Sequence, residues 1–357
     1  MSHIAIFIGD LGTPGGAERV AHDLGRELVV RGHALTVVTF ENKDKAAYLP
    51  VPGRHLHIDA PSGPGHVLQQ LFILLRRAWL FRRLIRREGF DQVFAFLETA
   101  NVPCALAHRD AVLSVHLDPD KWSPRQQQLV RRIFPRARRV IAVSAQMRQC
   151  LEQRFGLKNV LEIINPVDTR QLQLQARAEP DHQLVDQPFI VAVGRLTAQK
   201  RFDRLIRCYA QAGLAQRYRL LILGEGEERD ALQQLITDLQ LTERIRLPGL
   251  ETNPWRYMAR AVFLVMSSDF EGYPLTLIEA LALGCPVIAL DCPTGPREIV
   301  RHEQNGLLVP VGDDRELATA LQRLADDEGL RSRLAQAAPA SVERNDIRRV
   351  TDAWLAA

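Results

Sequence analysis

Short apolar runs alternate with longer amphipathic stretches along this chain, and that alternation constrains its fold more than any other feature. Apolar runs of this length are typical of strands buried on both faces of a parallel sheet, and the amphipathic stretches between them are typical of crossover helices. The pattern therefore predicts an α/β protein. The 357 residues are enough for two domains of ordinary size.

The predicted strands fall into two sets with the same layout, which indicates two doubly wound units. The first set is residues 3–8, 34–40, 92–97, 111–115 and 139–143, and the second is residues 188–193, 218–223, 245–247, 262–266 and 286–289. The predicted junction follows Pro166, in the polar segment 168–187, which has weak periodicity and carries the breaker Pro180.

Composition excludes several classes of protein. Hydrophobic residues make up 46% of the chain and charged residues 25%, which argues against disorder, collagen and coiled coils. The apolar stretches fall short of the roughly 18 to 20 residues of a membrane span, and the start of the chain does not read as a secretion signal. The five cysteines are widely spaced without a CxxC pair, which favours a reducing cytosol over a disulfide framework or a zinc site.

Charge is divided unevenly between the two halves. Residues 1–166 hold 23 Lys and Arg against 15 Asp and Glu, a net charge of +8, whereas residues 167–357 hold 23 against 27, a net charge of −4. This asymmetry favours an anionic partner for the first half, with nucleic acid, phosphorylated lipid and anionic membrane as candidates. A chance scatter of surface arginines is the alternative.

Ligands of open parallel sheets bind outside the carboxyl ends of the strands, so we expect chemistry in the turns that follow them. After the first strand, Gly15 and Gly16 open a helix and leave N–H groups accessible to an anion, although glycines in such a turn are often structural. After the first strand of the second half, Arg195 and Lys200 can converge on a diphosphate. Two solvated cations are the alternative there.

The third turn is the most specific. Gly272 permits an unusual turn, and Pro274 suits the first position of a helix whose initial N–H groups are free. Glu271 then lies before the helix and Glu279 inside it, so the two carboxylates can reach one site from different elements. One of them would face a sugar and the other a ribose diol.

The chain as a whole resembles the GT-B glycosyltransferases of family 4. The resemblance rests on GGAER at the first turn, a histidine after the fourth strand, VGRL with a following lysine, EGYPLTLIE, and the later segments GCPVIA, GPREI and NGLLV. It implies two Rossmann-like domains that face a cleft, with acceptor binding over 1–166 and nucleotide-sugar binding over 167–340. A final helix over 341–357 would pack back on the first domain.

The resemblance also implies roles for single residues. The donor would be bound by Arg195 and Lys200 at the diphosphate, by Glu279 at the ribose, by the N–H groups of Leu275 and Thr276, and by Gly15 and Gly16. The expected catalytic residues are Glu271, at the donor sugar, and His116, at the sugar or the reacting centre; a lone histidine after a strand is otherwise more often a packing residue. Arg201 stands where the family commonly has glycine or asparagine, which leaves the conformation of that loop open.

Family 4 enzymes retain anomeric configuration, so the resemblance implies a retaining transferase. Arg195, Lys200 and helix N-termini would stabilise the leaving nucleoside diphosphate without a metal. No metal or cofactor is therefore expected, and the UDP-sugar is a co-substrate. Asp118-Pro-Asp120 looks like the metal-binding DxD of another transferase class, but no second ligand cluster supports an ion and we interpret it as a turn.

Residues 68–88 are predicted to form a basic amphipathic helix. At 100° per residue, Arg76, Arg83 and Arg87 fall within about 40° of one another, and Trp79 lies in the same sector. This arrangement favours contact with a lipid diphosphate or an anionic membrane surface. An ordinary packing helix with a solvated arginine face is the alternative.

The runs FAFLETAN at 94–101 and SVH at 114–116 are similar to the branch that includes the GalNAc transferases of bacterial lipid-linked oligosaccharides. This similarity implies transfer of a hexose or N-acetylhexosamine from a UDP-sugar to a polyprenyl-diphosphate-linked or other lipid-linked glycan, in surface polysaccharide or glycoprotein assembly. The enzyme would be cytoplasmic and peripherally associated with the inner membrane. Alternatives are a soluble transferase with a small acceptor and a nucleotide-sugar epimerase. Nucleic acid is disfavoured as a partner because no recognised binding module accompanies the charge.

Overall fold

The alternating segments fold into parallel sheets, each within a unit of its own. The structure is a computed structural model that describes residues 1–12, 15–41, 47–63 and 66–357. Unit 1 comprises Met1–Pro166 and Ile347–Ala357, and unit 2 comprises Val167–Asp346. The predicted α/β fold with two doubly wound sheets is confirmed.

In the described residues of unit 1, seven parallel strands form one sheet in the order β3-β2-β1-β4-β5-β6-β7. The strands are β1 (His3–Phe7), β2 (Ala34–Thr39), β3 (Arg54–His57), β4 (Gln92–Phe96), β5 (Ala111–Val115), β6 (Arg139–Ala142) and β7 (Val160–Glu162). The helices are α1 (Gly16–Val30), α2 (Val67–Glu88), α3 (Glu98–Ala107), α4 (Pro124–Ile133), α5 (Ala145–Gln153) and, at the end of the chain, α14 (Ile347–Ala356). The strand order reverses between β1 and β4, and a ligand crevice is expected at such a switch point.

The central strands of unit 1 are buried on both faces, which is why they appear in the sequence as continuous apolar runs. Helix α14 contributes to the same core through Trp354. Its ring packs against Phe94 and Phe96, with centroid distances of 5.0 and 5.3 Å. The two phenylalanines lie on β4, so the last helix of the chain helps to fix that strand.

Unit 2, which the structure describes throughout, has six parallel strands in the order β10-β9-β8-β11-β12-β13. The strands are β8 (Phe189–Val193), β9 (Arg219–Leu223), β10 (Ile245–Gly249), β11 (Leu264–Met266), β12 (Val287–Leu290) and β13 (Gly306–Val309). The helices are α6 (Thr169–Ala176), α7 (Phe202–Gln211), α8 (Arg229–Asp238), α9 (Trp255–Met258), α10 (Leu275–Ala282), α11 (Pro296–Ile299), α12 (Asp314–Asp326) and α13 (Glu328–Ser341).

The described structure departs from the predicted elements in three places. It adds the strands β3, β7 and β13, all of them at sheet edges. The polar junction contains α6, whose Leu172 and Ala176 are buried. The helix predicted over 341–357 begins at Ile347, because a 3₁₀ turn at Glu343–Asn345 separates it from α13. In the described ranges, no helix has the length and apolar character needed to cross a bilayer.

Candidate active site

The turn after β8 carries both predicted diphosphate ligands. A 3₁₀ turn, Ala198–Lys200, precedes α7. Arg195 is exposed and Lys200 is partly exposed. The stem of Lys200 lies over Gly194, where a Cβ would come within 3.3 Å of the lysine Cε. Glycine at this position therefore leaves room for the lysine side chain to extend across the turn.

Lys200 forms an ion pair with Glu271, with 2.6 Å between Nζ and Oε1. Lys200 follows β8 and Glu271 follows β11, and these strands are neighbours in the sheet. The lysine side chain is 21% exposed and the glutamate side chain 9% exposed, so the pair is largely shielded from water. An ammonium group has three protons to donate, so Lys200 can bind Glu271 and a phosphate oxygen together.

Hydrogen bonds between the two turns hold this ion pair in place. The Asp269 N–H donates to the Gln199 carbonyl at 3.0 Å, and the Gln199 amide donates to the Phe270 carbonyl at 2.7 Å. The Ser267 hydroxyl donates to the Lys200 carbonyl at 2.8 Å. The backbone on both sides of the pair is thus supported by its own contacts, which preorganises the two charged groups.

The backbone of Arg201, whose conformation the sequence does not predict, is left-handed. Its φ of 50° and ψ of 43° lie in the left-handed region, which costs a non-glycine residue roughly 1–2 kcal/mol. Its guanidinium binds Asp203 at 3.0 Å and Asp269 at 3.1 Å, and hydrogen bonds to these carboxylates raise its pKa. Arg204, which is 6% exposed, binds the other oxygen of Asp269 at 2.8 Å. The loop therefore takes a backbone shape suited to glycine, and ion pairs stabilise arginine there.

Helix α10 begins one residue later than predicted, because Pro274 is its N-cap, with φ −69° and ψ 115°. Proline has no polar side chain with which to cap the helix, so the first N–H groups, including those of Leu275 and Thr276, are left for other acceptors. Glu279 lies one turn along from Leu275 on the same face of the helix. It is half-buried.

In unit 1, the predicted catalytic histidine is buried. His116 follows β5, and its Nε2 is 2.8 Å from the Ser114 hydroxyl oxygen. Its ring stacks on Phe96 with a centroid distance of 5.5 Å. Burial lowers the pKa of His116 to about 3, so the imidazole is uncharged at neutral pH. An uncharged imidazole can hydrogen-bond a sugar hydroxyl but brings no positive charge to a diphosphate.

Gly15 and Gly16 also belong to unit 1, whereas the other predicted donor ligands belong to unit 2. Gly15 is the N-cap of α1 and has extended backbone, and the helix begins at Gly16. A Cβ at position 15 would clash with the carboxylate of Glu18, so an acidic group of the chain itself already lies at the positive end of α1. Residues 13 and 14 of this turn lie outside the described residues.

The predicted basic helix is α2. Arg76, Arg83 and Arg87 are exposed, Trp79 is 57% exposed, and the Arg83 guanidinium carbon lies 5.7 Å from the centre of the Trp79 ring. Large apolar side chains on the first half of the helix are exposed as well, namely Leu68, Leu71, Phe72 and Leu75. The helix thus presents apolar and cationic groups to solvent together, which suits an interface better than bulk water.

One arginine of α2 points into unit 1. Arg77 is 4% exposed, lies over the Phe40 ring, and binds Glu41 at 2.9 Å. It also donates to the Ala60 carbonyl at 2.6 Å and to the Thr99 carbonyl at 3.2 Å. Its guanidinium therefore ties α2 to the segments that follow β2, β3 and β4.

Two family models match this chain. The model described as Glycosyl transferases group 1 matches residues 175–341, and the model described as Glycosyltransferase Family 4 matches residues 14–171. A Campylobacter jejuni protein is 31% identical over 350 residues, which are 93% of this chain and 92% of that protein. It is the N-acetylgalactosamine-N,N'-diacetylbacillosaminyl-diphospho-undecaprenol 4-alpha-N-acetylgalactosaminyltransferase. The chain belongs to the group 1 glycosyltransferases.

Other similar proteins agree with this assignment. The amylovoran biosynthesis glycosyltransferase AmsD of Erwinia amylovora is 28% identical over 343 residues, covering 95% of this chain and 94% of that protein. The crystal structure of Anabaena HepE in complex with UDP matches with a TM-score of 0.79 at 23% identity, over 100% of this chain and 99% of that one. The fold is therefore GT-B, as the resemblance implied.

Sequence reasoning missed two glycines that this glycosyltransferase needs beside Lys200. A Cβ at Gly224 would clash with the Gly194 carbonyl, and a Cβ at Gly226 would clash with the Leu196 carbonyl. The turns after β8 and β9 thus touch backbone to backbone. The paired glycines of the run GEGEE at 224–228, directly after a predicted strand, are the signal that indicates this contact.

In the sequence, the segment after β12 indicates only the family resemblance. In the structure of this glycosyltransferase, the Thr294 hydroxyl donates to the Glu271 carbonyl, and the Glu271 N–H donates to the Pro293 carbonyl. Gly295, with φ 84°, leaves no space for a Cβ against the Gly272 carbonyl. The Glu271 turn is therefore held from the β12 side as well as from the β8 side.

The segment that looks like a metal-binding DxD is a turn in this glycosyltransferase. Asp118 caps the 3₁₀ turn Pro119–Lys121, and its carboxylate accepts the Asp120 N–H at 3.0 Å. Across the part of the chain that the structure describes, no three His, Cys, Asp or Glu side chains are grouped as metal ligands would be.

Proposed function

We propose that this protein is a retaining glycosyltransferase that moves a hexose or N-acetylhexosamine from a UDP-sugar to a lipid-linked glycan. The observation that carries the proposal is the Lys200–Glu271 ion pair, which is largely shielded from water. Glu271 lies four residues before the start of α10, whose first N–H groups are not capped by a side chain. The chain that carries this arrangement is a group 1 glycosyltransferase. This arrangement offers a cation and free N–H groups to a diphosphate, and a carboxylate to a sugar.

Unit 2 supplies the groups that bind the donor. Arg195 and Lys200 bind the diphosphate, together with the N–H groups of Leu275 and Thr276 at the positive end of α10. Glu279 accepts hydrogen bonds from the ribose hydroxyls. The leaving nucleoside diphosphate is stabilised by these cations and dipoles, so the reaction proceeds without a metal.

Glu271 positions the donor sugar. One of its oxygens binds Lys200 at 2.6 Å, and the other remains available to a sugar hydroxyl. A front-face substitution, in which the acceptor hydroxyl attacks from the side of the leaving phosphate, needs alignment and charge stabilisation rather than a protein nucleophile. His116 contributes a hydrogen bond from an uncharged ring.

Helix α2 makes the contact with the lipid-linked acceptor. Its exposed arginines bind the lipid diphosphate and anionic headgroups, while Trp79 and the neighbouring leucines enter the interfacial layer. The relative from Campylobacter jejuni is named for a diphospho-undecaprenol acceptor. The enzyme would work at the cytoplasmic face of the inner membrane without spanning it.

The reaction is tested with purified protein, a panel of UDP-sugars and a polyprenyl-diphosphate glycan. We expect one sugar to be added, with the anomeric configuration of the donor retained by NMR and with the rate unchanged by EDTA. Inversion, or loss of activity in EDTA, would contradict the retaining or the metal-free part of the proposal. Formation of an epimer or of a soluble glycoside from the UDP-sugar, with no sugar added to the lipid acceptor, would favour the epimerase or small-acceptor alternative.

The membrane contact is tested by flotation with liposomes that contain anionic lipid. The double variant Arg83→Glu and Arg87→Glu should bind at least about tenfold more weakly, since each basic residue near such a surface contributes roughly 1 kcal/mol. The matched control is Arg138→Glu with Arg139→Glu, which changes the charge of unit 1 equally at exposed positions away from α2. Equal losses in both variants would show a general charge effect and contradict the assignment to α2.

A further inference from the structure

A carboxyl group that the donor site does not use lies at the carboxyl edge of the sheet of unit 1. Glu98 is the first residue of α3 and directly follows β4 and Leu97. Because the strand order reverses between β1 and β4, Glu98 stands at the switch point of this sheet. The turn after β1 is close by, since a Cβ on Gly9 would lie 3.6 Å from the Thr99 hydroxyl oxygen. This is the place where the fold offers a ligand crevice.

The side chain of Glu98 is largely shielded from water. Its Oε1 is buried and has no hydrogen-bonding partner among the residues described, whereas the residue as a whole is partly exposed. Burial raises the pKa of Glu98 to about 7, an effect that its own backbone and the nearby indole of Trp122 oppose only in part. The indole N–H of Trp122 is likewise buried and completes no hydrogen bond within the part of the chain that the structure describes. A buried polar atom without a partner costs roughly 1–3 kcal/mol, so this carboxyl does not serve the stability of unit 1.

The backbone before Glu98 is strained in a way that places this side chain. Leu97 has φ 68° and ψ 158°, a conformation found almost solely in glycine, at a cost of about 1–3 kcal/mol. The strained turn is held by hydrogen bonds to β5, because the Leu97 N–H and the Asn101 side chain both donate to the Ser114 carbonyl, at 3.3 and 2.8 Å. Strain that the surrounding structure maintains is typical of functional sites.

Glu98 and His116 leave the sheet side by side. Glu98 follows β4 and His116 follows β5, the two strands are paired, and the His116 ring stacks on Phe96. Both groups are polar and both are kept from ionising by burial at neutral pH, His116 fully and Glu98 in part. A ligand that suits this pair is uncharged and carries hydroxyl groups. A carboxylate repels a phosphate, so a nucleotide or a lipid diphosphate does not fit here.

We propose that Glu98 binds a hydroxyl group of the glycan acceptor. The inference rests on the proposed function, because it assigns an acceptor residue to the same transferase reaction. The second carboxyl oxygen, Oε2, accepts the hydrogen bond from the hydroxyl, while the buried Oε1 and the turn at Leu97 keep the group in a fixed orientation. Glu98 is therefore an acceptor-binding residue, and it recognises the sugar part of the lipid-linked glycan.

The test is steady-state kinetics of Glu98→Gln, which keeps the size of the side chain and removes its charge. At pH 8, where the wild-type carboxyl is mainly ionised, we expect the KM for the polyprenyl-diphosphate glycan to rise roughly tenfold or more, as for a lost hydrogen bond to a charged group. The KM for the UDP-sugar, and its slow hydrolysis without acceptor, should stay within about twofold of the wild type. The melting temperature at pH 8 should rise, because the variant no longer ionises a partly buried carboxyl. The matched control, Glu152→Gln on the exposed face of α5, should alter none of these values.

An unchanged acceptor KM in a folded Glu98→Gln protein would overturn the inference, as would an equal loss of glycan transfer and of donor hydrolysis. If the glutamine variant does not fold, Glu98→Asp replaces it, and the shorter carboxyl should raise the acceptor KM in the same way. A wild-type protein that transfers no sugar would contradict the proposed function itself. That result is distinct from an active transferase in which the Glu98→Gln substitution has no effect on the acceptor KM.

Discussion

The carboxyl edges of the two sheets carry polar groups of opposite character. In unit 2 these groups are ionised and bound to one another, as in the pairs of Lys200 with Glu271 and of Arg201 with Asp269. In unit 1 burial disfavours the ionised form of the polar groups, because it lowers the pKa of His116 to about 3 and raises that of Glu98 to about 7. One edge is suited to a charged ligand and the other to a ligand made of hydroxyl groups.

The difference shows how two parallel sheets can present different chemistry at the same edge. Opposite charges at short distance keep both partners ionised, whereas burial without such a partner favours the uncharged form. The identity of the side chains in the turns decides what each edge can bind.

The largest effect is expected from Lys200→Ala, which removes the charge on which the edge of unit 2 depends. We expect kcat/KM for the UDP-sugar to fall by roughly 10²–10³, the usual loss when one preorganised group that stabilises developing charge is removed. The matched control is Lys158→Ala, at an exposed position of unit 1. Wild-type kinetics in Lys200→Ala would contradict the comparison between the two sheet edges, because the Lys200 cation would then contribute nothing to donor binding or turnover.

Glu279→Ala should weaken nucleotide binding about tenfold to a hundredfold, the value of hydrogen bonds to a charged group. Calorimetry with UDP and with a UDP analogue that lacks the ribose hydroxyls checks this. The wild type should discriminate between the two nucleotides, and the variant should not. Discrimination that survives in Glu279→Ala would place the ribose elsewhere.

By contrast, Glu271→Ala should lower kcat while UDP affinity stays near that of the wild type.

Asp269→Asn should lower the stability of unit 2, because its carboxylate binds both Arg201 and the buried Arg204. We expect a loss of about 2 kcal/mol, below the 3–5 kcal/mol of a fully buried pair, since Asp269 is partly exposed and Arg204 also pairs with Asp314 at 2.9 Å. Thermal melting should show a fall of several degrees. Asp238→Asn, on the exposed face of α8, is the control. Equal melting temperatures would mean that the ion pairs do not hold the loop.

The smallest effect concerns His116 and pH. The pKa of His116 is lowered from its ordinary value of 6.5 to about 3, so below pH 6.5 the unfolded chain takes up a proton that the folded protein does not. The stability that this group contributes is present above pH 6.5 and is lost as the pH falls toward 3. Relative to His116→Gln, the wild type should lose about 1 kcal/mol between pH 7 and pH 5.5, measured by urea unfolding. His182→Gln, at an exposed position of unit 2, should show no such difference.

The strands that the sequence predicts are those buried on both faces, because full burial selects a continuous apolar run. Edge strands such as β3 and β7 have one protected side at most, and their exposed or half-exposed residues carry no such run. They form because a neighbouring strand offers hydrogen-bonding partners. That partner belongs to the tertiary structure and leaves no local pattern.

The candidate site divides in the same way. Residues at strand ends, such as Lys200 and Glu271, are predictable because parallel sheets bring those ends to one edge. The conformation of Arg201 and the need for glycine at 224 depend on contacts between turns that are far apart in the sequence. The helical periodicity of α2 predicts its cationic face, but it does not show that Arg77 meets Glu41.

The inward contact of Arg77 has a consequence for protein engineering. Helix α2 looks like a surface module that could be exchanged between relatives to change acceptor preference. Its Arg77 guanidinium, however, is bonded to Glu41 and to the Ala60 and Thr99 carbonyls. A chimera that swaps the helix without this arginine would leave those acceptors unsatisfied, so a transplant has to keep position 77 while it varies the arginines on the outer face.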